Sequence, residues 1–158
     1  LYATLGDASR AAVEKYSFID PEGIRILSWD IAKYVNHSCS PNSLSTVWGF
    51  EIAIRDIEAG EEVTDDYGLF NLDWEMECSC GHKHCRQSIR ADQANRLYRK
   101  WDREIRSAMS QFALGDQPLL PCMDEQTRVA IYDYLNGNRK YRSVRHLLKP
   151  IQSIGEVA

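Results

Sequence analysis

Residues 78–85 read Cys78-Ser79-Cys80-Gly81-His82-Lys83-His84-Cys85: three thiols within eight residues, a metal site one donor short of a tetrahedron. Gly81 relaxes the backbone so that Cys78, Cys80 and Cys85 can turn toward one point. Thiolates are soft donors that suit zinc. A disulfide framework fits poorly, because the chain holds 5 cysteines, an odd number, and Cys-x-Cys is too tight to bridge to itself. Thiols kept as metal ligands point to a reducing, intracellular compartment. The fourth donor must come from His82, His84 or a cysteine elsewhere, and its identity decides how the chain closes around the cluster.

The 158 residues, 44% of them hydrophobic, suit one domain or one domain with a helical appendage. No apolar run approaches the roughly 20 residues of a membrane span. The opening Leu1-Tyr2-Ala3 lacks a methionine and reads as an internal start. The net charge of −4 is unevenly spread. Residues 1–85 hold 6 Lys/Arg against 15 Asp/Glu, a balance of −9, and the remainder holds 13 against 8, a balance of +5. An acidic front half favours a cationic, lysine-bearing partner and disfavours direct nucleic-acid binding. No membrane partner is expected, and the oligomeric state is not legible.

Residues 8–16 have weak helical character. Alternation around Pro21-Glu22-Gly23, from Tyr16 to Leu27, predicts a hairpin. Asp30 is a candidate cap for one helical turn reaching Val35. Phe50, Ile52 and Ile54 alternate with polar or small residues, so an extended segment follows Thr46. Glu58-Ala59-Gly60 then turns the chain into a short returning strand at Val63-Thr64. Beyond Cys85 the period changes. Ala94, Leu97, Trp101, Ile105, Ala108 and Phe112 fall at helical intervals and read as a packing stripe. A second helix is expected from Asp124 to Leu135, ended by Asn136-Gly137, and a third over 142–148. The predicted class is mainly β with α: short strands, a cysteine loop and a helical tail.

Three segments share one register: Tyr34-Val35-Asn36-His37-Ser38-Cys39-Ser40-Pro41-Asn42; Gly60-Glu61-Glu62-Val63-Thr64 leading to Asp66-Tyr67-Gly68; and Cys78-x-Cys80-x4-Cys85-Arg86. Together they resemble the C-terminal half of a SET domain followed by a post-SET segment, as in SET-domain protein lysine methyltransferases. The likeness covers roughly residues 16–86. It implies residues 1–70 as SET sequence, 71–90 as the post-SET zinc segment and 91–158 as a helical tail. It also implies a β-clip of short strands with a knot-like Asn-His-Ser-Cys segment.

The resemblance further implies that Cys39 is the fourth ligand of a structural zinc with Cys78, Cys80 and Cys85. That would leave Cys122 a spare buried thiol and His82 and His84 as exposed loop residues. Asn36, His37, Tyr34 and Tyr67 match positions around S-adenosylmethionine. Tyr67 matches the residue most often regarded as catalytic, and Tyr16 resembles a tyrosine lining the substrate-lysine channel. The implied function is methyl transfer to the ε-amine of a lysine in a protein substrate, a histone among the candidates. The rival is a non-catalytic SET-like scaffold or reader that keeps the zinc. The family's Gly-x-Gly cofactor segment has no counterpart before Tyr16, and Asp65 stands where many members carry Phe or Tyr. A compact tail without linkers favours a bacterial, cytoplasmic setting over a nuclear one.

Overall fold

The computed structural model describes residues 2–28 and 30–150. Residues 151–158, the end of the expected helical tail, lie outside the described residues. After a 3-10 turn at Tyr2–Thr4, α1 (Asp7–Lys15) passes directly into the expected hairpin. There β1 (Ser17–Ile19) pairs antiparallel with β2 (Arg25–Leu27), Phe18 opposite Ile26. Gly23 takes φ +86° at its turn, a conformation that residues with a Cβ rarely adopt. A single 3-10 turn, Ile31–Tyr34, follows, with the Asp30 carboxylate accepting from the Ala32 N–H as the cap requires.

Two nested strand pairs come next. β3 (Asn36–His37) runs parallel to β6 (Thr64–Asp65), and β4 (Ser43–Ser45) pairs antiparallel with β5 (Glu51–Ala53). The returning strand expected at Val63-Thr64 therefore does not fold back on the strand before it. It lies beside the Asn-His segment, about 30 residues earlier. Asn42 explains the choice. Fully buried, it accepts from the Thr64 N–H (2.8 Å) and donates to the Glu62 carbonyl (2.8 Å), zipping its own loop to residues 62–64. Beyond it, β7 (Met76–Glu77) and β8 (Ser88–Ile89) clamp the base of the cysteine loop.

The tail is part of the core. α2 (Ala91–Gln111) turns Ala94, Trp101, Ile105 and Met109 inward, where they meet Leu44, Leu69, Ile131, Val144 and Leu148. α3 (Glu125–Leu135) starts on an Asp124 cap and ends near Gly137 at φ +76°. The third helix expected over 142–148 is only a 3-10 turn, Val144–Leu147, because the Ser143 cap begins it and the chain is extended again by Leu148. Cys122, expected to be buried, is exposed: Leu120 and Met123 take the inward positions and leave the thiol facing out.

Three polar anchors fix the tail. The Trp101 indole N–H donates to Asp66 Oδ2 at 3.1 Å, and a Cβ on Gly68 would lie 3.0 Å from the indole ring, so the helix rests directly on the turn that bears Tyr67. Asn71, left-handed at φ +51°, donates to the carbonyls of Ile19 and Leu147 and accepts from the Lys149 N–H. Asp102 accepts from the Tyr141 hydroxyl, the Ser143 hydroxyl and the Val144 N–H. Replacing Trp101 with Phe keeps most of the packing but strips one donor from a buried carboxylate. The expected cost is about 1–3 kcal/mol of stability in urea unfolding, with the unfolding slope unchanged.

Candidate metal centre and aromatic cleft

The sulfurs of Cys39, Cys78, Cys80 and Cys85 all lie within 4.8 Å of one another. Cys39 reaches the group because Asn36–His37 is pinned to Thr64–Asp65, and Ser38 N–H donates to the Asp65 carbonyl at 3.0 Å. The three later thiols arrive on the loop between β7 and β8. Four Zn–S bonds of about 2.3 Å in a tetrahedron place sulfurs about 3.8 Å apart. The observed Cys39–Cys78 and Cys78–Cys85 separations are 3.7 and 3.5 Å. The cluster is thus compatible with zinc, and its fourth member is Cys39. His82 and His84 contact each other, with the His84 N–H donating to His82 Nδ1, and neither joins the sulfurs.

The surroundings suit anionic sulfur. Backbone N–H groups of Arg86 and Gln87 donate to the sulfurs of Cys39 (3.3 Å) and Cys85 (3.4 Å). His37 Nδ1 accepts from the Tyr67 N–H (3.2 Å), so its ring proton sits on Nε2, which faces the Cys39 sulfur at 3.3 Å. Burial holds the His37 pKa below its ordinary value, with Asp66 opposing and Arg86 assisting, which keeps the ring neutral. Arg86 donates to Asp66 through Nη2, while its buried Nε and Nη1 find no partner among the described residues. A guanidinium so placed is a counter-charge for four thiolates around a divalent ion. Removing the metal with a chelator, or replacing Cys39 with Ser, is expected to lower bound zinc from one equivalent to well below half by elemental analysis. The thermal midpoint should fall with it.

On the other side of this network lies a cleft of about 750 Å³, within the usual range for a ligand site. Tyr16, Tyr34, Asn36 and Tyr67 all line it, joined by Phe18 and Phe70. Tyr67 is half-buried, and its hydroxyl donates to the Val35 carbonyl at 2.6 Å. Burial raises its pKa, with the carboxylates of Asp65 and Glu62 adding to the effect, so the phenol keeps its proton. Tyr16 and Tyr34 meet edge to face at 5.5 Å. The Lys15 and Lys33 ammonium groups lie 5.2 and 5.8 Å from the Tyr16 ring, and Lys33 lies 5.1 Å from the Tyr34 ring. Of the residues expected around a cofactor, His37 alone does not line the cleft, its side chain being committed to Tyr67 and Cys39.

Asp65 does not line the cleft either. It is 1% exposed and accepts from the Ser45 hydroxyl (2.9 Å) and the Asp66 N–H (2.6 Å). Burial raises its pKa to about 7 against those two bonds. The folded state therefore holds a proton that the unfolded chain releases near pH 4. Stability attributable to this group falls as pH rises from about 4 to 7 and is level above that. Asp65→Asn can accept from the Asp66 N–H and donate its amide N–H to the Ser45 hydroxyl oxygen, so its stability relative to the native chain should grow across that window, by up to roughly 4 kcal/mol in urea titrations at pH 4 and pH 8. Asp66, Arg86 and Trp101 were not singled out from the sequence as site residues, although Asp66 and Arg86 stand inside the quoted motifs.

Residues 6–68 match the family model of the SET domain. A variant-silencing SET domain-containing protein of Plasmodium falciparum is 44% identical over 62 residues, 35% of this chain and 2% of that protein. A histone-lysine N-methyltransferase of Arabidopsis thaliana, ASHR3, is 38% identical over 61 residues, 34% of this chain and 12% of that protein. The histone-lysine N-methyltransferase trithorax of Drosophila virilis is 43% identical over 65 residues, 37% of this chain and 2% of that protein. The chain thus spans a small part of each relative's length. Residues 6–68, with their nested strand pairs and the tyrosines that line the cleft, are thus similar to the SET domain and to proteins named as histone-lysine methyltransferases.

Proposed function

We propose that this chain works in S-adenosylmethionine-dependent methylation of lysine ε-amines on a protein substrate, with zinc held by Cys39, Cys78, Cys80 and Cys85 as a structural ion. The reading takes residues 1–70 as SET sequence with its knot-like Asn-His-Ser-Cys segment, 71–90 as the post-SET loop, and the remainder as a helical tail. Histones are one basic substrate class that the relatives' names suggest, and four clustered thiols suited to a metal favour an intracellular, reducing compartment. The observation that carries it is the cleft: Tyr67, Tyr34, Tyr16 and Asn36 share one aromatic wall, and two of those rings already hold ammonium groups. Aromatic faces attract cations, and both a sulfonium and a lysine are cationic.

S-adenosylmethionine would supply an electrophilic methyl group on a sulfonium, held by Asn36, Tyr34, the backbone of His37 and the ring of Tyr67. The work left to the protein is alignment and control of one proton. Correct placement of reacting groups is worth up to roughly 7–11 kcal/mol in favourable cases. A lysine with a pKa of about 10.4 is mostly protonated at neutral pH, and the Lys15 and Lys33 ammonium groups beside Tyr16, with an adjacent sulfonium, would disfavour a further positive charge there. Tyr67 keeps its own proton and hydrogen-bonds to Val35, so its part is to orient the reactants rather than to accept a proton.

The test is transfer of labelled methyl to a lysine-rich protein, alongside calorimetry with S-adenosylmethionine. Tyr67→Phe is expected to lower kcat by about 10²-fold while cofactor affinity changes little. An unchanged rate with cofactor bound would contradict the role given to Tyr67. Absence of cofactor binding by the native protein would leave the zinc-holding scaffold as the better reading.

A further inference from the structure

The acidic balance of residues 1–85 argued against nucleic acid, yet the fold gathers the chain's positive charge on the far side of α2. Trp101 and Ile105 face the core and the Tyr67 turn. Successive residues advance by about 100°, so Arg99, Arg103 and Arg106 form a row on a different face, and all three are exposed. The row extends about 10 Å along the axis at a rise of 1.5 Å per residue.

A second segment widens the row. Asp102 holds Tyr141, Ser143 and Val144 against α2. This brings the Arg145 guanidinium to 5.4 Å from the Tyr98 ring, which Arg99 also approaches at 5.4 Å, and leaves Arg106 at 5.7 Å from the Tyr141 ring. Four guanidiniums and two tyrosine rings therefore alternate across one surface.

Positive charge predominates there. Among the described residues, no ion pair involves Arg99, Arg103, Arg106 or Arg145. Asp92 pairs with Arg90 and Glu104 with Lys100, Asp102 accepts from three neutral donors, and Glu104 also lies in the field of Arg103, so the four guanidiniums outnumber the carboxylates beside them. No large exposed apolar side chain lies on α2 or on 138–148. Protein partners are usually gripped by buried apolar or aromatic anchors at the centre of the contact. A row of guanidinium forks on one helix without such an anchor suits a regular array of phosphates instead.

We propose that this face binds the phosphate backbone of a nucleic acid, without reading its sequence. The turn that carries Arg145 also supplies Leu147 to the cleft wall, so this face borders the cleft. The proposal stands independently of methyl transfer.

It is tested by fluorescence anisotropy of a labelled 20-base-pair duplex titrated with the full chain. With four phosphate contacts, log K should fall against log salt with a slope of about −3 to −4. The double variant R99E/R103E should weaken binding at least 10-fold with the thermal midpoint unchanged. The variant K83E/R139E makes the same change in net charge elsewhere and should weaken it less than 3-fold. No binding at 50 mM salt, equal losses in the two variants, or poly-glutamate competing as strongly as unlabelled duplex would each overturn the proposal, the last by showing an acidic protein to be the better ligand.

Discussion

Four sulfurs within 4.8 Å of one another are a constraint that the chain does not meet on its own. As thiolates they repel, and as thiols they offer each other only weak hydrogen bonds. Burial and the neighbouring sulfurs push Cys78 up to about 12, while Cys80 drops to about 6 despite burial because N–H and S–H groups stabilise its charge. A divalent cation would resolve the conflict by making all four into ligands, with an associated free energy on the order of 10 kcal/mol. That energy would be available to order a loop whose flanking strands, β7 and β8, are only two residues each.

From Cys39 and Arg86 the constraint passes inward through single contacts. His37 links the Cys39 sulfur to the Tyr67 N–H, Arg86 pairs with Asp66, and Asp66 accepts from Gly68 N–H and the Trp101 indole. Tyr67 is thus held from the cluster by one route and from the tail helix by another. A buried carboxylate is costly unless its lone pairs are filled, and Asp66 gathers a guanidinium, an indole and a backbone amide around it. The cleft wall is rigid because the elements behind it share one anion.

Much of this was readable from residue patterns, and the remainder had physical reasons for being hidden. The hairpin at Pro21–Gly23, the Asp30 and Asp124 caps and the stripe from Ala94 to Phe112 follow from local periodicity and capping chemistry. The cysteine trio was legible from spacing alone, but Cys39 stands about 40 residues earlier and only the resemblance brought it forward. The parallel pairing of β3 with β6 depends on Asn42, whose loop looked merely turn-like. Trp101 read as packing, and its stripe does pack, but periodicity says nothing of where an indole N–H points. The arginines between the stripe positions and the +5 balance after residue 85 are legible in the sequence, but that Arg145 joins them is not, since it does so only through the Asp102 contacts.

The most direct test of the central claim is X-ray absorption at the zinc edge of the purified chain. Four sulfur neighbours at about 2.3 Å and no nitrogen or oxygen donor are the expected shell. A shell of three sulfurs with one imidazole nitrogen, or a preparation that holds no zinc, would contradict closure through Cys39 and the support it gives to Tyr67.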